Sequence, residues 1–453
     1  MLRGIFVYTK FFKTVAATSM AASLLLAGCS SDSGSSKEAN TKEKKEDPNE
    51  KVTLTFWDEN AGPQRTPIWE ELIKRFEEKN PNIDVEYVGL PKDSAKAKYD
   101  ASIAAEDTPD VGSVQTSWLP EFALREALLP LDSYFDKWDE KGKINKGAVA
   151  FNKEIVVDHK LYGVPYTQNL DILWVRPDWF KEKGTKIPET WDEFFTAAQQ
   201  QTDKANNRYG YTIRGGAGGS FQLQRLMYAY SGEKDYIKDG KSTINNKKHV
   251  EFLKKYFALY KQNTPQSDIT NGYKEMIAGF DTGAVAMVQH NIGSFGEHKE
   301  ALQPDQFQAI PLPKTADGKY VAEGGNTIGI SVFKTTKHPD AAWKLAAFLN
   351  SKESQSYWNQ QVGQIPTNSD VLSESWVKDS PHIQTAFKVY DDKETILYEP
   401  PFYLPEYRSI LDTVVDPGTQ AVMSGKMTVE EFLNEWAKAI EDAQKKYDEH
   451  FKK

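Results

Sequence analysis

The segment Val52-Thr53-Leu54-Thr55-Phe56 alternates apolar and polar side chains, as a half-buried strand does. Thr66-Pro67 follows as a predicted N-cap and first-turn proline, and apolar residues then recur at helical spacing. A second alternating run, 83–88, precedes another helical stretch at 92–105, and Pro109-Asp110-Val111 opens a third strand. The order βαβαβ predicts an α/β fold with a mostly parallel sheet covered by helices.

Two loops at the ends of these strands are candidate ligand loops, 58–65 and 115–118, because open α/β sheets bind ligands beyond the carboxyl ends of their strands. Aromatic rings stand beside short polar side chains there and again at 166–169. A sugar has apolar C–H faces and a rim of hydroxyls, so it suits such a mixture of rings and hydrogen-bonding groups. These residue types favour a carbohydrate site.

The composition of the 453-residue chain argues against several other functions. Its formal net charge is −9, whereas nucleic-acid binding depends on an excess of Lys and Arg. The seven histidines form neither HExxH nor another clustered metal spacing, and no G-x-S-x-G elbow occurs. We therefore expect no nucleic-acid partner, no metal, no cofactor and no catalytic residue. The length predicts two domains.

The N-terminal segment has the order of an export signal. Residues 1–28 hold a basic start and an apolar run too short to cross a bilayer core of about 30 Å. The run ends in Leu26-Ala27-Gly28-Cys29, which resembles the bacterial lipobox and implies a mature chain that begins at Cys29 and is lipidated there, with palmitate. Residues 30–50 contain one apolar side chain, Ala39, so we expect a disordered tether. The predicted location is extracytoplasmic, on the outer face of the cell membrane.

Six motifs then follow one another along the chain: Leu54-Thr55-Phe56-Trp57; Pro109-Asp110-Val111 with 127–132; 161–165; 187–194; 280–287; and Gly324-Gly325-Asn326 with 339–343. In this order they resemble the extracellular solute-binding proteins of bacterial ABC importers, in the carbohydrate-binding group that includes maltose-type binding proteins.

The resemblance implies a two-lobe periplasmic-binding-protein-like fold of the class II type, each lobe a sheet flanked by helices, with the ligand cleft at the hinge. Lobe 1 would comprise residues 51–163 with 328–370, and lobe 2 residues 164–322 with 371–453. Such a protein captures a mono- or oligosaccharide by hinge closure and delivers it to the permease subunits of the importer. It would be a monomer without enzymatic activity.

Carried over by the resemblance, the candidate ligand-binding residues are spread over both lobes and the crossing segments. They are Asp58, Glu59, Asn60, Arg65, Thr116, Trp118, Tyr166, Asn169, Asp171, Trp174, Phe221, Gln222, His290, Asn291, Gly325, Asn326 and Tyr403.

One departure from the family pattern concerns the ligand. After the motif that ends in Ala286-Met287, the family commonly places a glycine and then a tryptophan on which a sugar ring stacks; here Asn291 and Gly293 occupy those positions. This predicts a more polar ligand, or an aromatic floor supplied by Phe295 or Tyr403. The alternatives are a non-sugar solute (peptide, polyamine, iron complex or polyol phosphate) and a lipid-anchored glycoside hydrolase, which would turn over oligosaccharide.

Overall fold

The computed structural model describes residues 51–451. The predicted export signal, the lipidated Cys29 and the tether lie outside these residues. The strands are β1 (Val52–Asp58), β2 (Ile83–Gly89), β3 (Val111–Gln115), β4 (Val164–Gln168), β5 (Asp171–Val175), β6 (Ile237–Lys238), β7 (Lys241–Ser242), β8 (Met287–Asn291), β9 (Gln308–Pro311), β10 (Val321–Glu323), β11 (Thr327–Val332), β12 (Ile365–Pro366) and β13 (Ile396–Tyr398).

The helices are α1 (Thr66–Lys79), α2 (Ala95–Ala104), α3 (Leu119–Leu124), α4 (Asp132–Phe135), α5 (Lys146–Glu154), α6 (Pro177–Lys183), α7 (Trp191–Gln200), α8 (Gly219–Ser231), α9 (Lys247–Ala258), α10 (Tyr273–Asp281), α11 (Phe295–Ala301), α12 (Pro339–Asn350), α13 (Lys352–Val362), α14 (Ser369–Leu372), α15 (Ser375–Lys378), α16 (Pro381–Tyr390), α17 (Tyr407–Ile410), α18 (Asp416–Met423) and α19 (Val429–Phe451). A π-helical turn, Leu411–Val415, joins α17 to α18. Within residues 51–451, no helix combines the length and apolar character that a membrane span requires.

The first sheet has six strands in the order β12-β4-β11-β3-β1-β2. Strand β1 runs parallel to both β2 and β3, which confirms the predicted βαβαβ order. The predicted mostly parallel pairing holds only for β1, β2 and β3. Strand β11 returns from late in the chain and pairs antiparallel with β3 and β4, and β12 pairs antiparallel with β4. The return of β11 places its first residues, Thr327 and Ile328, beside the carboxyl ends of β4 and β3.

Helix α1 begins as predicted beside Pro67, but its cap differs from the prediction. The helix starts at Thr66 itself, and Arg65 occupies the N-cap position without a side-chain cap bond. The Thr66 hydroxyl instead hydrogen-bonds with the Tyr87 hydroxyl at 3.1 Å, so its oxygen is engaged by the neighbouring strand. The predicted apolar face is correct, since Leu72 and Phe76 are buried.

The second sheet has three antiparallel strands in the order β8-β5-β9. Helices α10 and α16 pack against its outer strands β8 and β9, respectively, and all five residues of β5 are buried. Trp174, Phe280 and Val288 belong to the apolar core beneath it. The two sheets with their helices form the two lobes of the fold.

Two crossings between the lobes lie beside each other. Asn169 and Leu170 connect β4 of the six-stranded sheet to β5 of the three-stranded sheet. Residues 324–326 connect β10, which pairs with β13 in a two-stranded sheet, to β11. The two crossings touch, because the Asn169 backbone N–H donates to the Asn326 carbonyl oxygen at 2.9 Å. The crossings therefore bring polar residues of both segments to the junction of the lobes.

Gly325, in the second crossing, cannot carry a side chain without strain. Its φ is +70°, and a Cβ would lie 1.9 Å from a ring carbon of Phe151. We expect Gly325→Ala to lower the free energy of unfolding by more than the roughly 1–2 kcal/mol that the left-handed conformation alone costs, as measured by urea denaturation. Gly318→Ala is the matched control, since Gly318 has φ +84° and nothing within 4 Å of a Cβ. Equal losses in the two variants would contradict the steric argument.

Candidate ligand-binding site

A cleft of about 1010 Å³, including the part open to solvent, lies between the lobes. Segments near both crossings line it, together with the loop after β3, the N-terminal half of α8 and the end of β8. Ten of the predicted residues belong to this lining: Thr116, Trp118, Asn169, Asp171, Phe221, Gln222, His290, Asn291, Gly325 and Asn326. The structure thus brings together predicted residues that are up to 210 positions apart in the chain.

Seven predicted residues lie outside the lining: Asp58, Glu59, Asn60, Arg65, Tyr166, Trp174 and Tyr403. Trp174 and Asp171 share strand β5, where successive side chains point to opposite faces. Asp171 faces the cleft, so Trp174, three residues later, lies on the other face and packs against His298 and Phe307. The alternation of side chains along β5 therefore explains why the Trp174 ring does not face the cleft.

Two further predicted rings are held in packing contacts of their own. Tyr166 lies edge-on to Trp69 and Trp358, with ring centroids 5.5 and 5.7 Å away. Tyr403 packs against Tyr447 at 5.1 Å and donates its hydroxyl hydrogen to Gln444. Tyr166 is buried and Tyr403 is half-buried, and neither ring lines the cleft.

The acidic residues predicted after β1 are buried behind the cleft. The Asp58 carboxylate accepts hydrogen bonds from the Tyr87 hydroxyl and the Asn60 backbone N–H, both at 3.0 Å. The Glu59 carboxylate pairs with Lys92 and accepts a hydrogen bond from the Gln115 amide at 3.0 Å. Glu59 therefore acts through Lys92 and Gln115, which do line the cleft.

Most of the charged side chains that line the cleft were not among the predicted site residues. These residues are Lys92, Asp93, Lys96, Arg214, Arg225, Glu323 and Arg408. Arg225 stands four residues after Phe221 on α8 and thus on the same helical face, so helical spacing could have identified it. No local sequence pattern identified Lys92 and Asp93 as cleft residues, because they reach the cleft only through the way the loop before α2 packs against the other lobe.

Arg225 is the centre of a buried charge cluster. Its guanidinium contacts Asp171 at 3.0 Å and Glu323 at 2.9 Å. The Gln289 and Asn326 amides also donate to the Asp171 carboxylate, at 2.7 and 3.2 Å. Burial raises the pKa of Asp171 to about 6, although the Arg225 charge opposes this effect. The cluster ties α8, β5, β8 and the second crossing together at the base of the cleft.

Four buried polar atoms of the lining have no hydrogen-bond partner within the described residues. They are Trp118 Nε1, Arg214 Nε, Gln289 Oε1 and His290 Nδ1. Burial holds the pKa of His290 well below its usual range, so its ring is neutral at neutral pH. These four atoms are shielded from solvent, and an unpaired buried polar atom costs free energy.

The cleft provides little free aromatic surface. The Phe221 ring has the Arg408 guanidinium 4.8 Å and the Arg225 guanidinium 5.4 Å from its centre. A Cβ at Gly293 would lie 2.9 Å from side-chain atoms of Asn291 and Gln364, so the position has no room for a ring. The expected replacement floor is wrong, since Phe295 stacks on His382 at 3.9 Å and neither Phe295 nor Tyr403 lines the cleft.

Residues 51–451 contain no group of three or more His, Cys, Asp or Glu side chains placed to hold a metal ion. Within the cleft lining, Arg225 pairs with Asp171 and Glu323, and Arg214 pairs with Asp93.

Asp58 gives the folding stability a specific pH dependence. Burial, with a further contribution from the Glu59 charge, raises its pKa from 3.8 to about 6. The folded protein then binds this proton more tightly than the unfolded chain, so stability falls as the pH rises from about 4 to 6, by about 3 kcal/mol for such a shift. We expect Asp58→Asn to remove this decline in urea denaturation between pH 4.5 and 7. An unchanged pH profile would contradict the prediction.

A cleft between two α/β lobes, lined by hydrogen-bonding groups from both, defines a two-lobed ligand-binding protein. The chain belongs to the bacterial extracellular solute-binding protein family, whose sequence model matches residues 62–356.

Individual relatives agree with this assignment. A multiple sugar-binding protein of Streptococcus mutans is 24% identical over 74% of this chain and 78% of its own. An arabinooligosaccharide-binding protein of Bacillus subtilis is 25% identical over 80% of this chain and 81% of its own. A Thermotoga lettingae ABC transporter solute-binding protein, solved with bound α-D-tagatose, superposes with a TM-score of 0.75 at 24% identity, covering 86% of this chain and 99% of the other. These relatives are binding proteins rather than enzymes.

Proposed function

We propose that this protein is the substrate-binding component of an ABC importer for a carbohydrate, either a sugar or a polyol. The observation that carries the proposal is the cleft between the lobes, which both lobes line with uncharged hydrogen-bonding groups such as Thr116, Gln222 and Asn326. A polyhydroxylated ligand satisfies donors and acceptors of this kind without needing a charge of its own. The names of the sugar-binding relatives and the tagatose complex support the same ligand class.

The charge arrangement disfavours a polyamine. An amine ligand needs free carboxylates, whereas Arg225 already pairs with Asp171 and Glu323, the most buried acids of the lining. A binding role without catalysis agrees with the pairing of these groups. Incubation with oligosaccharides tests this part of the proposal, since any turnover would favour the glycoside hydrolase alternative.

Capture requires contacts from both lobes, and the lobe boundaries are part of the proposal. The expected bounds are residues 51–163 with 328–370 for lobe 1 and residues 164–322 with 371–453 for lobe 2, and we propose to move the first boundary. Strand pairing supports one refinement: β4 pairs with β11 in the six-stranded sheet, so the first change of lobe falls at Asn169-Leu170. Hydrogen exchange measured with and without ligand tests this position. The backbone amides of a hinge should change their protection on ligand binding, and we expect this change at Asn169-Leu170 rather than before β4.

For the location, we propose export and lipid attachment through Cys29 to the outer face of the cell membrane, where the protein meets the importer's permease as a monomer. The family description as extracellular supports export. Lipid attachment rests on the Leu26-Ala27-Gly28-Cys29 motif. Cys29→Ser should move the protein from the membrane fraction to the soluble fraction without changing ligand affinity, and retention of the variant in the membrane would exclude this anchor.

A thermal-shift panel tests the ligand class. The protein is heated with D-tagatose, D-mannitol, maltotriose and arabinooligosaccharides, and in parallel with peptides, polyamines and polyol phosphates. A ligand at 100 times its dissociation constant adds about 2.7 kcal/mol to the free energy of unfolding, so the unfolding temperature rises measurably. Stabilisation by peptides or polyamines alone would overturn the carbohydrate assignment.

A further inference from the structure

Arg65 joins the two lobes outside the ligand cleft. It lies at the start of α1 beside the six-stranded sheet, and only 6% of it is exposed. Its guanidinium Nη2 donates to the Gly293 carbonyl oxygen at 3.0 Å, and Gly293 follows β8 of the three-stranded sheet. A buried cation of one lobe therefore hydrogen-bonds to the backbone of the other.

Groups from both lobes balance the charge of this arginine. The negative or polar groups that favour its charged form are Glu297 and Tyr273 from the second lobe and Glu59 and Asp58 from its own. The second-lobe pair is itself ordered, because the Tyr273 hydroxyl donates to Glu297 at 2.7 Å. Gly293, Tyr273 and Glu297 belong to the second lobe. Opening the lobes would therefore separate Arg65 from these three stabilising partners.

Other contacts between the lobes lie near Arg65. The Gln64 amide donates to Glu300 at 3.1 Å, and Asp93, before α2, pairs with Arg214 at 2.9 Å. The Arg214 guanidinium lies 6.0 Å from the centre of the Tyr273 ring, which connects this ion pair to the surroundings of Arg65. Polar contacts of this kind join this edge of the two lobes, beside the packing of α11 on α13.

Grooves flank the buried Arg65 on two sides. The two grooves, of about 640 and 1150 Å³ with their solvent-open parts, are each lined by Gln64, Arg65, Glu297 and Glu300. Arg65 therefore lies between two grooves at this edge of the lobes, next to the contact of Gln64 with Glu300. Such a contact can break without disrupting the apolar core of either lobe.

We infer that Arg65 is a positioning residue that holds the lobes closed, and that it sets how long a captured ligand stays bound. The inference about residence time rests on the proposed function, whereas the effect on lobe closure does not. It also replaces the earlier expectation for Arg65, which lies outside the lining of the cleft. The contact acts on the open–closed equilibrium and leaves the ligand's own hydrogen bonds intact.

The test compares the full-length wild type with Arg65→Met. Ligand association and dissociation are followed by stopped-flow tryptophan fluorescence, with D-tagatose, D-mannitol and maltotriose as probes. Loss of a hydrogen bond from a charged donor predicts a dissociation rate about tenfold to a hundredfold higher, with little change in the association rate. Arg65→Lys should recover part of the loss, because it keeps the charge. An unchanged dissociation rate in folded Arg65→Met would overturn the inference.

Arg75→Met is the matched control, because Arg75 lies on the same helix and pairs with Glu71 and Glu353. It should leave both rates as in the wild type. If Arg65→Met does not fold, Tyr273→Phe replaces it, since this variant removes the hydroxyl that orders Glu297 and should raise the dissociation rate in the same direction. An unchanged rate in Tyr273→Phe would then count against the inference.

Small-angle X-ray scattering of the ligand-free proteins separates this inference from the proposed function. Weaker closure predicts a larger radius of gyration for Arg65→Met than for the wild type, whether or not a sugar binds. If no probe binds the wild type, the carbohydrate proposal fails while the scattering still tests the contact. Equal radii in the two ligand-free proteins would overturn the role of Arg65 in closure.

Discussion

Arg225→Met should lower the free energy of unfolding by about 3–5 kcal/mol, the usual cost of removing one partner from a buried ion pair. The substitution leaves Asp171 and Glu323 without their cation, and both carboxylates are less than one-tenth exposed. Protonation relieves an unpaired buried carboxylate, so the loss should be larger at pH 8 than at pH 5. Urea denaturation at the two pH values measures both effects.

Arg125 supplies the matched control for this prediction, because it also contacts two carboxylates, those of Asp100 and Glu121, at 3.0 and 3.1 Å. These groups are partly exposed, and exposed pairs contribute about 0–1 kcal/mol. Arg125→Met should therefore cost little. Combining Arg225→Met with Asp171→Asn and Glu323→Gln removes the unpaired charges and should restore much of the stability. Equal losses from Arg225→Met and Arg125→Met would contradict the buried-cluster interpretation.

Trp118→Ala should have the second large effect, a loss of about 3–5 kcal/mol in the free energy of unfolding, as for other buried aromatic truncations. Trp118 is 2% exposed and packs against Tyr99 and Phe122, with ring centroids 5.8 and 6.1 Å away. This substitution therefore tests packing rather than ligand contact. Trp118→Phe keeps a ring in the core and removes the unpartnered Nε1–H donor, so it should weaken ligand binding about tenfold, as the loss of one hydrogen bond does.

Trp436→Phe is the control for the binding measurement. Trp436 is fully buried on α19, its Nε1 also lacks a partner within the described residues, and it lies outside the cleft lining. Its replacement should cost stability comparable to that of Trp118→Phe and leave ligand affinity unchanged in calorimetric titration. Equal losses of affinity in the two phenylalanine variants would remove the Trp118 donor from the ligand site.

Much of the first lobe could be predicted from local patterns. The alternation at 52–56 and 83–88 and the helical spacing after Pro67 identified β1, β2 and α1, because burial on one face leaves a period of two in strands and 3.6 in helices. The loop after β3 was likewise placed correctly at the cleft, through Thr116 and Trp118. The position of β11 inside the sheet could not be read this way, since its pairing partners are distant in sequence.

The candidate site was predicted less completely, for a reason that Trp174 and Arg65 illustrate. Both residues stand close in sequence to residues that motifs can locate, but neither side chain lines the cleft. The Trp174 ring lies on the other face of β5 and packs against Phe307, and the Arg65 guanidinium donates to Gly293 of the opposite lobe. Conversely, Arg225 and Glu323 enter the site through contacts between segments about 100 residues apart.

The sequence by itself determined the α/β class, the family and several of the segments that line the cleft, because periodicity and motif order are properties of short stretches of chain. Only the tertiary structure decided which side chains those segments present to the cleft, the ion pairing of Asp171 with Arg225, and the contact of Arg65 with the other lobe. Burial and charge pairing depend on the atoms that surround a group in three dimensions, and most of those atoms come from distant parts of the chain.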